Sequence, residues 1–158
     1  MWRNWAPVGI DEMGMKSLLA YLLVAVFIAL AALHFYWALG GNWGFESVLP
    51  TTAQGLRILA PTTVDSLVVG TLLFLCGAFY GVLAGTLKVN LPRRLQQVTQ
   101  WGIPIIFILR AVGDFQYVGF FKQVTGTEFA RLDTLFLSPL CLTIGVMGLW
   151  PGFLQRKS

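Results

Sequence analysis

The stretch SLLAYLLVAVFIALAALHFYWAL, residues 17–39, decides the fold class, because it contains no Asp, Glu, Lys or Arg. A helix needs about 20 apolar residues to cross a hydrocarbon core of about 30 Å, and this stretch is long enough. It is also longer than the roughly 7 to 15 apolar residues of a secretory signal. We therefore expect a permanent membrane span here, preceded by an N-terminal tail, residues 1–16.

Further apolar stretches predict three more membrane helices, at about residues 64–87, 92–121 and 127–150. The chain is 56% hydrophobic and only 11% charged, whereas a soluble domain has about 25% charged residues. Its length suits one domain. The predicted fold is an all-α bundle of four transmembrane helices, residues 17–150, followed by a C-terminal tail, residues 151–158.

The third helix is predicted to begin near Pro92, because proline is favoured in the first turn of a helix. From this start, Arg110 lies about 27 Å and Asp114 about 33 Å along the axis. Both charges would then lie at the membrane boundary, where they avoid the cost of about 2.5 to 3.5 kcal/mol that applies at the midplane. The aromatic run that follows, residues 115–121, is predicted to be an interfacial belt that ends at Lys122.

The distribution of positive charge predicts the orientation of the bundle. The N-terminal tail, the second loop and the C-terminus together carry seven Lys and Arg residues, whereas the first and third loops carry three. Cytoplasmic loops retain an excess of positive charge, so both termini are predicted to be cytoplasmic. The net charge of +4 therefore reflects membrane orientation, and no nucleic-acid partner is expected.

Polar side chains from all four helices are predicted to meet at the outer face of the membrane. They are His34, Asp65, Arg110, Asp114, Arg131 and Asp133. The four-residue spacing of Arg110 and Asp114 allows an ion pair on one helical face, and we expect Arg110 to bridge to Asp65 or Asp133 on a neighbouring helix. The first loop, residues 40–63, is rich in large apolar side chains and is expected to fold back over this end or lie in the interface.

Two kinds of function compete for this polar cluster. The leading interpretation is a non-enzymatic accessory or structural membrane protein, in which the cluster locks the helices together. The alternative is an enzyme or a binding protein for a lipid-like ligand, with His34 and either Asp114 or Asp133 as acid and base. Its candidate binding residues are Trp37, Trp43, Asp65, Arg110, Phe115, Tyr117 and Phe120. A small transporter is a second alternative, although the charges gather at one face and form no track across the bundle.

Glycine spacing and ligand spacing bear on partners and cofactors. Gly77, Gly81 and Gly85 recur every four residues, which creates a smooth strip for close helix packing, within the bundle or against a membrane partner or a second copy. The bilayer itself is the expected surrounding. No second His and no Cys accompanies His34 at metal-ligand spacing, so neither a metal nor another cofactor is predicted.

Several short sequences together resemble a family of small bacterial integral membrane proteins defined only as a domain of unknown function. They are HFYWALGGNWG, RAVGDFQYVGFFK, FARLDT and SPLC, and the resemblance covers about residues 17–150. It implies a four-helix membrane fold and a location in the bacterial inner membrane. It implies no activity, because the family has none assigned.

Overall fold

The structure is a computed structural model that describes the backbone of residues 10–155 and the side chains of residues 14–150. Within these limits the chain is all-helical, as predicted, and no β-strand is present. The helices are α1 (Ile10–Ala38), α2 (Thr63–Leu83), α3 (Arg93–Val112), α4 (Glu128–Leu132) and α5 (Ser138–Gln155). A π-helical segment, Asp133–Leu137, joins α4 to α5, so these three parts form one continuous fourth helix.

Three of the helices are long and apolar enough to cross a membrane: Gly14–Ala38, Thr63–Leu83 and Glu128–Trp150. Three of the four predicted membrane helices therefore meet this criterion. The exception is α3, because its first two turns are polar and begin with Arg93 and Arg94. The protein is thus helical, and three of its helices have the length and apolar composition of membrane spans.

The third helix ends at Val112, nine residues before the predicted end at residue 121. The reason is Gly113, whose φ of +93° lies in the left-handed region that a right-handed helix cannot continue through. Residues 113–127 are therefore a loop, and the predicted aromatic belt is not helical. Asp114 consequently does not share a helical face with Arg110, so that part of the prediction is wrong.

The other helix ends differ less from the sequence analysis. Helix α1 begins at Ile10, so residues 10–16 of the predicted N-terminal tail are helical. The fourth helix begins at Glu128 and continues to Gln155, into the predicted C-terminal tail. The rest of both predicted tails, residues 1–9 and 156–158, lies outside the described residues.

The helices pack as two pairs. Helix α1 packs mainly against α2, and α3 packs mainly against α5. The core side chains come from all four helices and are Leu23, Phe27, Phe79, Tyr80, Ile103 and Ile144. The rings of Phe27 and Tyr80 stack with centroids 5.6 Å apart. Since lipid tails are as apolar as these side chains, close van der Waals packing stabilises the bundle more than exclusion of water does.

The glycines of α2 divide into two roles. A Cβ on Gly77 would lie 3.3 Å from the Cβ of Phe27, so the missing side chain lets α1 approach closely. Gly85 lies beyond the last residue of α2, with φ of +77°, and its N–H donates to the Val82 carbonyl. The N–H of Thr86 donates to the Gly81 carbonyl, which completes a Schellman motif. The predicted glycine strip therefore does not extend to Gly85, which terminates the helix.

The first and third loops lie at one end of the bundle, where α1 and α3 finish and α2 and α4 begin. We call this the distal end. The first loop folds back over it, in agreement with the first of the two placements expected for this loop. The Trp37 Nε1–H donates to the Trp43 carbonyl at 2.9 Å, and the Ser47 hydroxyl donates to Glu128 at 3.0 Å. The loop is thereby attached to both the first and the fourth helix.

Candidate functional site

The π-helical segment turns the side chain of Asp133 into the distal end of the bundle. Pro139 has no amide hydrogen and cannot continue the regular α-helical pattern with the residue four positions before it. One turn earlier the helix widens, and the Ser138 N–H donates to the Asp133 carbonyl, five residues back. Such π segments are frequent at functional sites. The Ser138–Pro139 pair therefore marks the position of the buried carboxylate.

Asp133 is fully buried, with 0% of its surface exposed, and its carboxylate accepts four hydrogen bonds. Oδ1 accepts from Arg110 Nη2 at 2.9 Å. Oδ2 accepts from Lys122 Nζ at 3.0 Å, from the Gly119 N–H at 2.8 Å and from the Ser138 hydroxyl at 3.0 Å. The expected bridge from Arg110 to an acidic residue of a neighbouring helix is confirmed for Asp133. We call these five residues the Asp133 network.

Lys122 does not lie where the sequence analysis predicts. It was predicted at the membrane interface, but its side chain is only 2% exposed. Its ammonium donates to the Gly119 carbonyl at 2.9 Å, to the Thr134 hydroxyl at 2.6 Å and to Asp133. Since an ammonium has three N–H groups, this charge is completely satisfied inside the protein.

Arg110 connects the Asp133 network to the space beside it. Its side chain is 32% exposed, and only Nη2 bonds to Asp133. The other terminal nitrogen, Nη1, is buried and has no hydrogen-bond partner among the described residues. Lys122 and Arg110 together bring two positive charges to one carboxylate, so the Asp133 network carries one positive charge in excess. Arg110 is the more exposed of the two cations, since the side chain of Lys122 is only 2% exposed.

Asp114 has a different partner set from the one expected. Its Oδ1 accepts from the backbone N–H groups of Gln116, Tyr117 and Val118 at 2.7 to 2.9 Å, which folds the chain into a tight turn after α3. Partial burial alone would raise the pKa of Asp114. The hydrogen bonds from the three amides outweigh it, so the pKa lies below its ordinary value. Asp114 therefore organises the third loop.

Replacing Asp114 tests this role. Asp114→Ala is expected to destabilise the loop by about 1 kcal/mol, the usual cost of losing a side chain that accepts from backbone N–H groups, whereas Asp114→Asn keeps the accepting oxygen. Because the folded-state pKa lies below the unfolded value of about 3.9, the stability from ionised Asp114 is present above about pH 4. It is lost as pH falls through the folded-state pKa. Thermal unfolding from about pH 7 to about pH 3 should show a smaller loss in Asp114→Asn than in the wild type. Equal losses would contradict the assignment.

Beside the Asp133 network lies an open cavity of about 440 Å³, lined by α1, α2, α3, α4 and the two distal loops. We call it the distal cavity. Ligand sites in proteins commonly measure about 300 to 1,000 Å³ and combine apolar walls with a few polar groups. The polar side chains of its wall are His34, Asp65, Ser66 and Arg110, and its aromatic ones are Trp37, Phe45 and Phe129. A small amphiphilic molecule would find both kinds of surface here.

His34 presents one free nitrogen in this region. Its Nδ1 lies 2.8 Å from the Leu30 carbonyl, which can only accept, so Nδ1 carries the hydrogen. The described residues provide no partner for Nε2. The His34 ring also contacts Trp37 edge to face, with centroids 4.9 Å apart, which fixes its orientation. In its neutral form, His34 is therefore a hydrogen-bond acceptor in the wall of the distal cavity.

Asp65 begins α2 and combines a helix cap with a position in the cavity wall. The Thr62 side chain accepts from the Asp65 N–H, and Asp65 Oδ2 accepts from the Thr62 N–H at 2.7 Å, which forms a capping box. Asp65 therefore has a structural role at the N-terminus of α2. Among the described residues only Thr62 donates to this carboxylate, and Oδ1 remains for another donor.

The structure brings four of the sequence-predicted residues to the distal cavity: His34, Trp37, Asp65 and Arg110. Asp133 lies behind Arg110, fully enclosed by its partners. The residues that do not line the cavity are Trp43, Asp114, Phe115, Tyr117 and Phe120. Arg131 is exposed and does not join the Asp133 network. The sequence analysis missed Lys122, Gly119 and Ser138, and the only signal for any of them in the sequence is the Ser138–Pro139 pair, because a proline within a helix indicates a local distortion.

Comparison with known proteins gives a family and no activity. A search of curated proteins and a search of solved structures each return no match. Residues 27–148 match the profile of a family described as "Protein of unknown function (DUF3995)". This segment contains α2, α3, both distal loops and every residue of the Asp133 network. Since the match covers more than half of the chain, the protein belongs to the DUF3995 family.

Proposed function

We propose that this protein is a non-enzymatic membrane protein that binds a lipid-like molecule in the distal cavity. The observation that carries the proposal is Arg110, a cation in the wall of this cavity whose side chain is 32% exposed and which shares its counterion, Asp133, with Lys122. A bound anion would pair with this charge, and a hydrogen bond to a charged group contributes about 1.5 to 3 kcal/mol. The Asp133 network would then have a structural role, as in the leading interpretation of the sequence, because it positions Arg110.

The state of the carboxylates supports binding over catalysis. An acid or base must reach the reacting group, and Asp133 is fully buried with both oxygens occupied. Asp114 is held by three backbone amides and does not line the cavity. His34 would have to act with Asp65 alone. The acid and base pair considered in the sequence analysis is therefore a weaker candidate than a passive binding site.

The proposed topology has four spans, with α3 as the fourth. Helix α3 has 20 residues, which corresponds to about 30 Å, the thickness of a hydrocarbon core. Arg93 and Arg94 at its start can extend their side chains to the interface. Both termini would lie in the cytoplasm and the distal cavity at the outer face of the bacterial inner membrane, in line with the positive-inside rule.

A substitution in the first loop tests the binding proposal. Leu59 lines the distal cavity, and Leu56, three residues earlier and also exposed, does not. Leu59→Trp is expected to narrow the cavity and lower the amount of lipid that remains bound after purification in mild detergent by about tenfold, since displacing about two buried CH₂ groups costs about 1.6 kcal/mol. Leu56→Trp should retain the wild-type amount.

Native mass spectrometry of the two variants and the wild type measures the bound lipid directly. Thermal unfolding of each variant in the same detergent shows whether the fold is retained. Equal lipid content in stably folded Leu59→Trp and Leu56→Trp would overturn the proposal.

A further inference from the structure

A second, apolar groove runs between α2 and α3. It measures about 360 Å³ and includes Leu72 and Leu75 of α2 and Ile106 and Phe107 of α3 in its walls. We call it the interhelix groove. It lies where the two helix pairs meet, since α2 packs mainly on α1 and α3 mainly on α5. Its walls are almost entirely apolar, as expected for a surface that contacts hydrocarbon.

The interhelix groove and the distal cavity share a wall residue, Val69. Val69 lies six residues from the distal end of α2, and Phe107 lies five residues from the distal end of α3. At 1.5 Å per residue, the groove therefore begins about 8 to 9 Å below the distal helix ends. The distal cavity lies immediately above this level, so Val69 borders a polar space on one side and an apolar one on the other.

The interhelix groove is about 11 to 12 Å long, which is about three quarters of one leaflet of a bilayer. Its far end is lined by Cys76 and Thr99, each 13 residues from the distal end of its helix, which corresponds to about 20 Å. A leaflet contributes about 15 Å of hydrocarbon to a core of about 30 Å. An acyl chain that entered below the distal cavity would thus follow the groove through most of its own leaflet.

The polar groups of the distal cavity specify a headgroup. Arg110 can only donate hydrogen bonds and carries a positive charge, which suits a phosphate. Asp65 and the Nε2 of neutral His34 can only accept, which suits an N–H or O–H donor on the same ligand. A simple anionic headgroup such as that of a fatty acid would pair with Arg110 and make no contact with either acceptor. The wall therefore favours a head with an anion and a donor together.

We propose that the ligand is a phospholipid with a donor-bearing headgroup, of the phosphatidylethanolamine type. Its phosphate accepts from Arg110, its primary ammonium donates to Asp65 and His34, and one acyl chain lies in the interhelix groove. This inference rests on the proposed function, to which it adds the class of lipid and the position of its chain. Phosphatidylcholine differs only in the three methyl groups that replace the N–H donors, and it is therefore the matched competitor.

Photo-crosslinking tests both parts of the inference. The probe is phosphatidylethanolamine with a diazirine in the half of one acyl chain that is farther from the headgroup. It is added to the purified full-length protein and irradiated. Labelled residues are expected to be those at the far end of the interhelix groove, foremost Leu75, Cys76 and Thr99. Unlabelled phosphatidylethanolamine should compete at about a tenth of the concentration that phosphatidylcholine requires, because hydrogen bonds to charged groups account for about a factor of ten or more.

A pair of variants on α2 controls for lipids that bind nonspecifically. Leu75 lines the groove and its neighbour Phe74 does not, although both are exposed. Leu75→Trp is expected to reduce labelling about tenfold by displacing several chain CH₂ groups, and Phe74→Trp should leave it unchanged. Equal labelling of the two variants would overturn the position of the chain, and equal competition by the two lipids would overturn the headgroup assignment.

The two proposals fail in different ways. If Leu59→Trp lowers phosphatidylethanolamine binding while Leu75→Trp does not, the distal cavity remains the binding site and only the chain position is wrong. If Leu59→Trp has no effect on any lipid while the protein stays folded, the binding function itself is wrong. Thermal unfolding of each variant in the same detergent supplies the check on folding.

Discussion

Asp133→Asn should destabilise the protein by about 3 to 5 kcal/mol, the cost of removing one partner from a buried ion pair. The change preserves shape, so the loss comes from charge. Without the carboxylate, the buried ammonium of Lys122 has no counterion, and the positive charge of Arg110 is no longer balanced. Thermal unfolding in detergent and the amount of folded protein in the membrane fraction are the measurements.

Lys122→Met is the informative comparison for Asp133→Asn. It removes the cation but leaves the Asp133 carboxylate with Arg110, Gly119 and Ser138, so we expect a loss of only about 1 to 2 kcal/mol. The double variant should be more stable than the sum of the single losses indicates, because the two side chains interact directly. Asp133→Asn with wild-type stability would show that the Asp133 network does not hold the distal end together.

Gly113→Ala is expected to have the second large effect, about 2 to 5 kcal/mol. An alanine at a φ of +93° is strained by about 1 to 2 kcal/mol, and its Cβ would overlap the Val118 carbonyl oxygen, which adds a packing cost of about 1 to 3 kcal/mol. The displaced loop contains Gly119, whose N–H donates to Asp133, so the disturbance reaches the Asp133 network.

Gly126→Ala is the matched control within the same loop. A Cβ at Gly126 would contact no other atom within 4 Å, and its φ lies outside the left-handed region. We expect this variant to unfold at the wild-type temperature. The unfolding temperatures of the two variants are compared in one detergent. A Gly113→Ala protein as stable as Gly126→Ala would contradict the close contact between Gly113 and the Val118 carbonyl.

Helix content followed from the sequence because a membrane span needs only length and apolar composition. Residues 17–39 illustrate this, since nothing about their partners was required to predict a helix there. The end of α3 did not follow, because the aromatic run at residues 115–121 resembles a continuation of the membrane span. What ends the helix is the backbone geometry of Gly113 together with amide groups that fold back onto Asp114, and the local sequence signal for this end is the pair Gly113–Asp114.

The candidate site likewise contains one contact that could be predicted from the sequence and others that could not. The Arg110–Asp133 contact could be predicted because a charge at a helix end needs a partner from the few acids available. Lys122 could not, because a lysine after an aromatic run is usually interfacial, and its burial depends on how the third loop folds. The distal cavity itself depends on the first loop, whose path is set by contacts between residues far apart in sequence.

The π-helical segment affects both the direction of the Asp133 side chain and the packing of α5 against α3. Successive residues of an α-helix are rotated by about 100°, so in a regular helix the direction of Asp133 would be fixed by the face of α5 that meets α3. Gly145 lies on that face, directly against the Pro104 carbonyl. The wider turn at Asp133–Leu137 changes the rotation between the two parts of the helix. The upper part can thereby direct Asp133 to Arg110 and Lys122 while the lower part keeps Gly145 against α3.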